Sequence, residues 1–216
     1  MQAKLNAGLG EALADAVVVP VLTLGSAEEG VDLARALLAG GLSMIEVTLR
    51  TKAAIEAIRR IRREVPEARV GAGTVLTPEQ AAEAMAAGAR FIVAPGMTPR
   101  LVAAAETWPV PFLPGAVTAS EALALADLGY TVLKFFPAGP AGGPAYLKAL
   151  AAPLAGIRFC PTGGIDAGNA GEYLALANVV AVGGSWVAPK KTVAERDWAK
   201  VTSLARSASQ LKPGGA

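Results

Sequence analysis

The sequence predicts an α/β fold, a single (β/α)8 barrel of the TIM type with one further helix at each end. Three observations predict it: eight short apolar runs, their even spacing, and helix start and stop signals in the intervals. The runs lie at 17–22, 44–47, 69–70, 91–93, 111–113, 132–134, 157–159 and 179–182, and from Val18 onward they recur every 20 to 26 residues. That interval holds one short strand and one helix of a few turns. Eight such units in 216 residues make one domain, 1–216, at the small end of the barrel size range. An open doubly wound sheet is the alternative, but the turn after the first run lacks the glycine fingerprint of a dinucleotide site.

Each element follows from its residues. Residues 1–16 form a helix ahead of the first repeat, and Val18-Val19-Pro20-Val21 opens the first strand. Ser26 caps the next helix, whose apolar face carries Val31, Ala34, Leu37 and Leu38 and which ends at Gly40-Gly41. After the second strand, Ile55, Ile58, Ile61 and Val65 mark a helical face. Arg59, Arg60, Arg62 and Arg63 cluster on the same segment and read as a solvated surface. Thr77-Pro78 starts a further helix that Gly88 closes, and Thr118-Ala119-Ser120-Glu121 is a capping box for one closed by Gly129. Residues 193–211 form a helix outside the eight repeats.

Composition narrows the chemistry. Twenty Lys plus Arg against 18 Asp plus Glu leave a formal charge of +2, and aromatic residues are 5%, which argues against a nucleic-acid partner held through phosphates. With 53% hydrophobic residues the chain has material for a large core. It contains no histidine, which excludes Ser-His-Asp and Cys-His nucleophiles and His-ligated zinc. The one cysteine, Cys160, forms no intrachain disulfide and reads as a small core residue. The N-terminus carries Lys4, Glu11 and Asp15 before any apolar run, unlike a secretory signal, and no stretch suits a membrane span. A cytoplasmic protein with no membrane partner is expected.

In such a barrel, chemistry belongs at the C-terminal ends of the strands. Lys134 ends the sixth run and precedes Phe135-Phe136-Pro137; apolar surroundings disfavour a charged ammonium, which is how a lysine becomes a nucleophile toward a ketone. A lysine snorkelling from a strand end is the bland alternative. In Met44-Ile45-Glu46-Val47-Thr48 the two-residue period puts Glu46 opposite Ile45 and Val47 and therefore inside the barrel, where Lys134 can partner it, as proton-transfer couple or as structural ion pair. Arg50 follows on the same turn, placed to grip a carboxylate or simply to face solvent. Gly163-Gly164 after the seventh run and Gly183-Gly184-Ser185 after the eighth are consecutive glycine loops of the kind that bind phosphate through backbone N–H groups.

These segments, together with Val70-Gly71-Ala72-Gly73-Thr74-Val75-Leu76, Pro114-Gly115, Lys134-Phe135-Phe136-Pro137-Ala138 and Cys160-Pro161-Thr162-Gly163-Gly164-Ile165, resemble the class I 2-keto-3-deoxy-6-phosphogluconate (KDPG) aldolases, which also act on 4-hydroxy-2-oxoglutarate. The resemblance runs from about Val17 to Pro189. It implies a homotrimeric barrel, needing no cofactor or metal, that cleaves KDPG reversibly to pyruvate and glyceraldehyde 3-phosphate. It assigns the Schiff base to Lys134, general acid/base work to Glu46, stereochemical control to Thr162, and the pyruvyl carboxylate to Arg50 and Thr74. Pro95 and Phe136 would line the pyruvyl pocket, and Gly163, Gly164, Gly184 and Ser185 would hold the phosphate. Gly139-Pro140-Ala141 departs from the family, whose members commonly carry a glutamate there. Two other readings remain open at this level: a metal-free phosphate-binding isomerase or synthase using Glu46 as base, and a non-catalytic trimeric barrel with a structural Lys-Glu pair.

Overall fold

The structure, a computed structural model, describes residues 1–212, so 213–216 of the expected domain lie outside the described residues. Strands and helices alternate along most of the chain, as expected. The strands are β1 (Val18–Leu22), β2 (Met44–Thr48), β3 (Arg69–Gly73), β4 (Ile92–Val93), β5 (Phe112–Leu113), β6 (Gly115–Ala116), β7 (Val132–Phe135), β8 (Arg158–Pro161) and β9 (Val182–Gly184). The helices are α1 (Gln2–Ala16), α2 (Ala27–Ala39), α3 (Ala54–Glu64), α4 (Pro78–Ala86), α5 (Pro99–Ala105), α6 (Ala119–Asp127), α7 (Gly143–Ala151), α8 (Ala170–Leu174), α9 (Lys190–Ala194) and α10 (Trp198–Ser209).

All strand pairs are parallel, in a six-stranded sheet of order β5-β4-β3-β2-β1-β9 and a three-stranded sheet β6-β7-β8. The ladders thus show a curled parallel sheet in two parts rather than one uninterrupted set of eight strands. The run expected at 111–113 becomes β5 and β6, which flank Pro114, a residue with no N–H to give a ladder. The last strand sits later than the expected 179–182: Val179 contributes a single bridge to Phe159, and the ladder with β1 begins at Val182.

The two-residue period divides the core. On β2, Ile45 and Val47 pack outward against the helices, whereas Met44 joins an inner cluster with Leu9, Leu13, Val19, Phe91, Leu113, Val132 and Cys160. On β7, Leu133 and Phe135 point outward and Val132 inward, so Lys134 shares the interior. The inner core fills the N-terminal half of the curled sheet, and the polar residues Glu46, Thr48, Lys134 and Thr162 are buried toward its C-terminal half.

The capping signals hold: Ser26 accepts from the Glu29 N–H, Thr77 from Gln80 and Thr118 from Glu121, and Gly41, Gly88 and Gly129 take positive φ after their helices. Arg59 and Arg60 pair with Glu56 and Glu64 on the surface of α3. The helix expected at 193–211 is instead two, α9 and α10. Arg196, at φ 53°, breaks the chain, and Asp197 restarts it by accepting from the Lys200 N–H at 2.9 Å.

α1 does more than precede the repeats. Gln2, Asn6, Leu9 and Leu13 share one buried face that closes the N-terminal mouth of the sheet. Asn6 donates to the Phe112 and Val132 carbonyls at 3.0 and 2.9 Å and accepts from the N–H groups of Thr131 and Val132 at 3.0 and 2.9 Å. It stitches the start of β5 to the start of β7, where no strand ladder joins the two sheets. Among the described residues no helix is long and apolar enough to cross a membrane.

Candidate active site

A buried ion pair forms the centre of the site. Lys134 Nζ lies 3.0 Å from Glu46 Oε1 and 3.3 Å from Oε2, both side chains almost wholly shielded from solvent. The strands bring them together: Glu46 pairs in register with Gly71 of β3, and Lys134 with Gly115 of β6 and Cys160 of β8. Inward positions on β3 are glycines for a steric reason. A Cβ at Gly71 would overlap the Phe91 ring, and one at Gly73 would overlap the Glu46 carboxylate. Such a buried pair is costly to desolvate, so it is weak evidence for stability and invites a chemical use.

Above the pair, at the C-terminal ends of the strands, a cavity of about 720 Å³ opens between the loops after β1, β2, β7, β8 and β9. Seven of the expected site residues line it: Arg50, Phe136, Thr162, Gly163, Gly164, Gly184 and Ser185. The Phe136 ring connects cavity and amine, with its centroid 5.7 Å from Lys134 Nζ. Thr74 joins through Arg50, whose Nε donates to Thr74 Oγ1 at 3.0 Å. This bond directs the guanidinium and leaves its terminal amino groups for an anion. Thr74 is held at φ 57°, a left-handed conformation that is strained for a β-branched residue. Pro95 is also absent from the cavity wall, and no bond ties its side chain to the residues that line it; its backbone packs where a Cβ on Gly115 would otherwise sit.

Thr162 is buried beside Gly183, where any side chain would collide with its Oγ1. Gly163 and Gly164 both take positive φ, 97° and 77°, so two glycines are needed in succession for this loop. The departure at Gly139 is accommodated by backbone: its N–H donates to the Gly163 carbonyl at 2.8 Å, tying the loop after β7 to the loop after β8. Cys160 lies beneath the pair, and burial pushes its thiol up to about 12, the Lys134 charge opposing that only in part. It is therefore an inert core residue at ordinary pH. Among the described residues, no group of three His, Cys, Asp or Glu side chains is placed to hold a metal ion.

Residue reading of the sequence missed Thr23 and Thr48. Thr48 is fully buried, donates to the Leu22 carbonyl at 2.8 Å and contacts the Thr23 hydroxyl at 2.9 Å, while Thr23 lines the cavity. The same two-residue period that places Glu46 inside also places Thr48 there. Lys190 and Trp186 line the outer wall beyond Ser185.

Known proteins similar to this chain are numerous. The KHG/KDPG aldolase of Escherichia coli strain K12 is 49% identical over 191 residues, 88% of this chain and 90% of that protein. The KDPG aldolase of Legionella pneumophila, solved with pyruvate captured at low pH as a covalent carbinolamine intermediate, superposes with a TM-score of 0.91 at 42% identity, covering 93% of this chain and 98% of the other. The Zymomonas mobilis ZM4 enzyme, solved with 3-phosphoglycerate, gives 0.90 at 42% identity, over 96% of this chain and 98% of the other. The model of the aldolase family "KDPG and KHG aldolase" matches residues 9–204. With that match spanning nearly all of the chain, and close relatives sharing both sequence and fold, the chain belongs to the KDPG and KHG aldolase family.

Proposed function

We propose that this protein is a class I aldolase that cleaves KDPG reversibly to pyruvate and D-glyceraldehyde 3-phosphate, and 4-hydroxy-2-oxoglutarate to pyruvate and glyoxylate. The observation that carries the reading is the shielded Lys134–Glu46 pair beneath a cavity with a guanidinium on one side and a glycine-serine loop on another. Family membership and the carbinolamine seen in the Legionella relative support the same chemistry.

Glu46 takes a proton from the Lys134 ammonium, and the neutral amine adds to the C2 ketone. Glu46 returns that proton to the carbinolamine hydroxyl, which leaves as water to give an iminium and a Glu46 carboxylate. The C4 hydroxyl proton then passes to a carboxylate Glu46, the C3–C4 bond breaks, and its electron pair flows into the iminium to form an enamine. Glyceraldehyde 3-phosphate leaves as the C4 oxygen becomes a carbonyl. Protonation of the enamine at C3, assisted by Glu46, and hydrolysis of the imine release pyruvate and the free amine. Arg50, steered by Thr74, would hold the pyruvyl carboxylate, and Phe136 with Pro95 would flank the pyruvyl group. Thr162 would shape the face on which the aldehyde carbon reacts. The N–H groups of Gly163, Gly164 and Gly184 and the Ser185 hydroxyl would receive the phosphate.

The same reading takes the two sheets as one closed eight-stranded barrel. In its support, β5 and β6 are separated only by Pro114, and bridges Phe159–Val179 and Thr162–Gly183 link β8 to β9. The homotrimer is carried over from the family resemblance. A cytoplasmic address fits a phosphorylated substrate, because such an anion does not cross a bilayer unaided. Borohydride reduction in the presence of pyruvate, followed by peptide mapping, tests the central step. A pyruvyl adduct on Lys134 alone is expected; an adduct on another lysine, or none in active protein, refutes the assignment.

A further inference from the structure

We infer that Thr23 is a specificity residue that accepts a hydrogen bond from the substrate hydroxyl lying between the scissile bond and the phosphate, the C5 hydroxyl of KDPG. The inference rests on the aldolase reading above and adds to it a group that reads the aldehyde half of the substrate.

Three observations converge on Thr23. The first is position. The period of β1 sends Val18, Leu22 and Leu24 to the outer core and Val19 to the inner one, so Thr23 points into the curled sheet, at its C-terminal edge, where it lines the cavity. The second is its neighbours. In the sheet β1 stands between β9 and β2. β9 leads into the glycine-serine loop proposed for phosphate, and β2 leads into Arg50, proposed for the carboxylate. A substrate stretched between those two poles passes its middle carbons across the end of β1.

The third observation is the direction of the hydrogen bond. A threonine hydroxyl has one proton and two lone pairs. Thr48 spends its proton on the Leu22 carbonyl at 2.8 Å, so in the 2.9 Å contact between the two hydroxyls Thr23 must donate and Thr48 accept. Leu22 and Thr48 belong to adjacent strands, and Thr48 is fully buried, so this chain is fixed by the fold. Thr23 therefore meets the cavity with lone pairs only. Lone pairs receive an alcohol O–H and repel ionised oxygens, so Thr23 suits a hydroxyl and disfavours a carboxylate or phosphate at its own position. KDPG has two hydroxyls along this stretch. The one on C4 loses its proton to Glu46 during cleavage, which leaves the one on C5. In 4-hydroxy-2-oxoglutarate C5 is a carboxylate carbon and carries no such hydroxyl.

The addition direction isolates this group. Pyruvate is offered with D-glyceraldehyde 3-phosphate or with 3-oxopropyl phosphate, two aldehydes that differ only in the hydroxyl destined to become the C5 hydroxyl. The quantity read is the ratio of kcat/KM for the first aldehyde over the second, compared among the natural enzyme, Thr23→Val and Thr23→Ser. Loss of one neutral hydrogen bond should lower this ratio roughly tenfold in Thr23→Val, chiefly through KM for glyceraldehyde phosphate, with Thr23→Ser restoring it. A ratio in Thr23→Val equal to that of the natural enzyme overturns the inference, as does an equal loss on both aldehydes. Borohydride trapping of pyruvate on Lys134 in the same preparations separates the two levels of the argument. Trapping with an unchanged ratio refutes the role of Thr23 alone, and an enzyme that neither traps pyruvate nor condenses either aldehyde refutes the aldolase reading and this inference with it.

Discussion

Glu46 and Lys134 are the pair on which chemistry and packing make different demands. As a structural pair they need only neutralise each other; as a catalytic pair, the carboxylate has to give up and regain protons while the amine is bonded to substrate carbon. Glu46→Gln separates the two roles, since it keeps the shape and removes the base. It is expected to form the Lys134 imine only to some extent, since the amide cannot take the ammonium proton, and to lose on the order of 10²-fold or more in C–C cleavage and in exchange of the pyruvate methyl protons with solvent deuterium. Exchange followed by NMR, with the melting temperature measured on the same sample, decides: normal exchange in a stable variant would show Glu46 to be structural. That both side chains face the interior is readable from sequence, because it depends on strand parity along β2 and β7. Parity puts Thr48 inside as well, but what Thr23, Thr48 and Gly73 do there is not readable in this way. Their roles depend on which residue stands opposite them on the neighbouring strand, and register is set by the folded sheet.

Among the elements, α1 shows where local pattern stops being informative. Its apolar face is short, and Gln2 and Asn6 on that face look like ordinary surface amides when only neighbours in sequence are considered. In the structure both are fully buried, and their partners lie more than 100 residues away. Asn6→Ala would strand two carbonyls and two N–H groups at the seam between β5 and β7. The expected cost is about 3 kcal/mol or more, which for a chain of this length corresponds to a fall in melting temperature on the order of 10 °C. Thermal unfolding followed by circular dichroism measures it, and a shift within about 2 °C would mean that the seam relaxes or is served by water. The caps of α2, α4 and α6 were legible because each signal lies within four residues of chain. The split of the last helix at Arg196 and the late start of β9 were not: apolar and helix-forming residues continue through both, and only the cap at Asp197 and the pairing with β1 set the boundaries.

At the scale of the molecule, the two ends of the curled sheet are built from different kinds of residue. The N-terminal end is filled by Leu9 and Leu13 from α1 with Val19, Met44, Phe91 and Val132, an apolar plug with no cavity-lining residue of the candidate site in it. The C-terminal end holds the ion pair, the cavity and the glycine loops. Parallel strands make this division natural, since every strand ends at the same mouth, where the loops after β1, β2, β7, β8 and β9 line one cavity. A pair of substitutions, one at each end, should therefore divide stability from activity. Leu13→Ala removes a side chain that is 1% exposed and is expected to cost about 2–5 kcal/mol, while kcat/KM of the folded fraction at low temperature stays near that of the natural enzyme. Ser185→Ala, at an exposed position on the cavity wall, should leave the melting temperature almost unmoved. It should raise KM for KDPG more than for 4-hydroxy-2-oxoglutarate, which has no phosphate for the hydroxyl to meet. Melting curves and steady-state kinetics on both variants and both substrates provide the comparison. If Leu13→Ala shifted KM for both substrates as strongly as it lowered stability, the two ends would be mechanically coupled through the strands, and the plug would have to be counted as part of the catalytic apparatus. Equal losses on the two substrates in Ser185→Ala would instead remove the phosphate from the loop after β9.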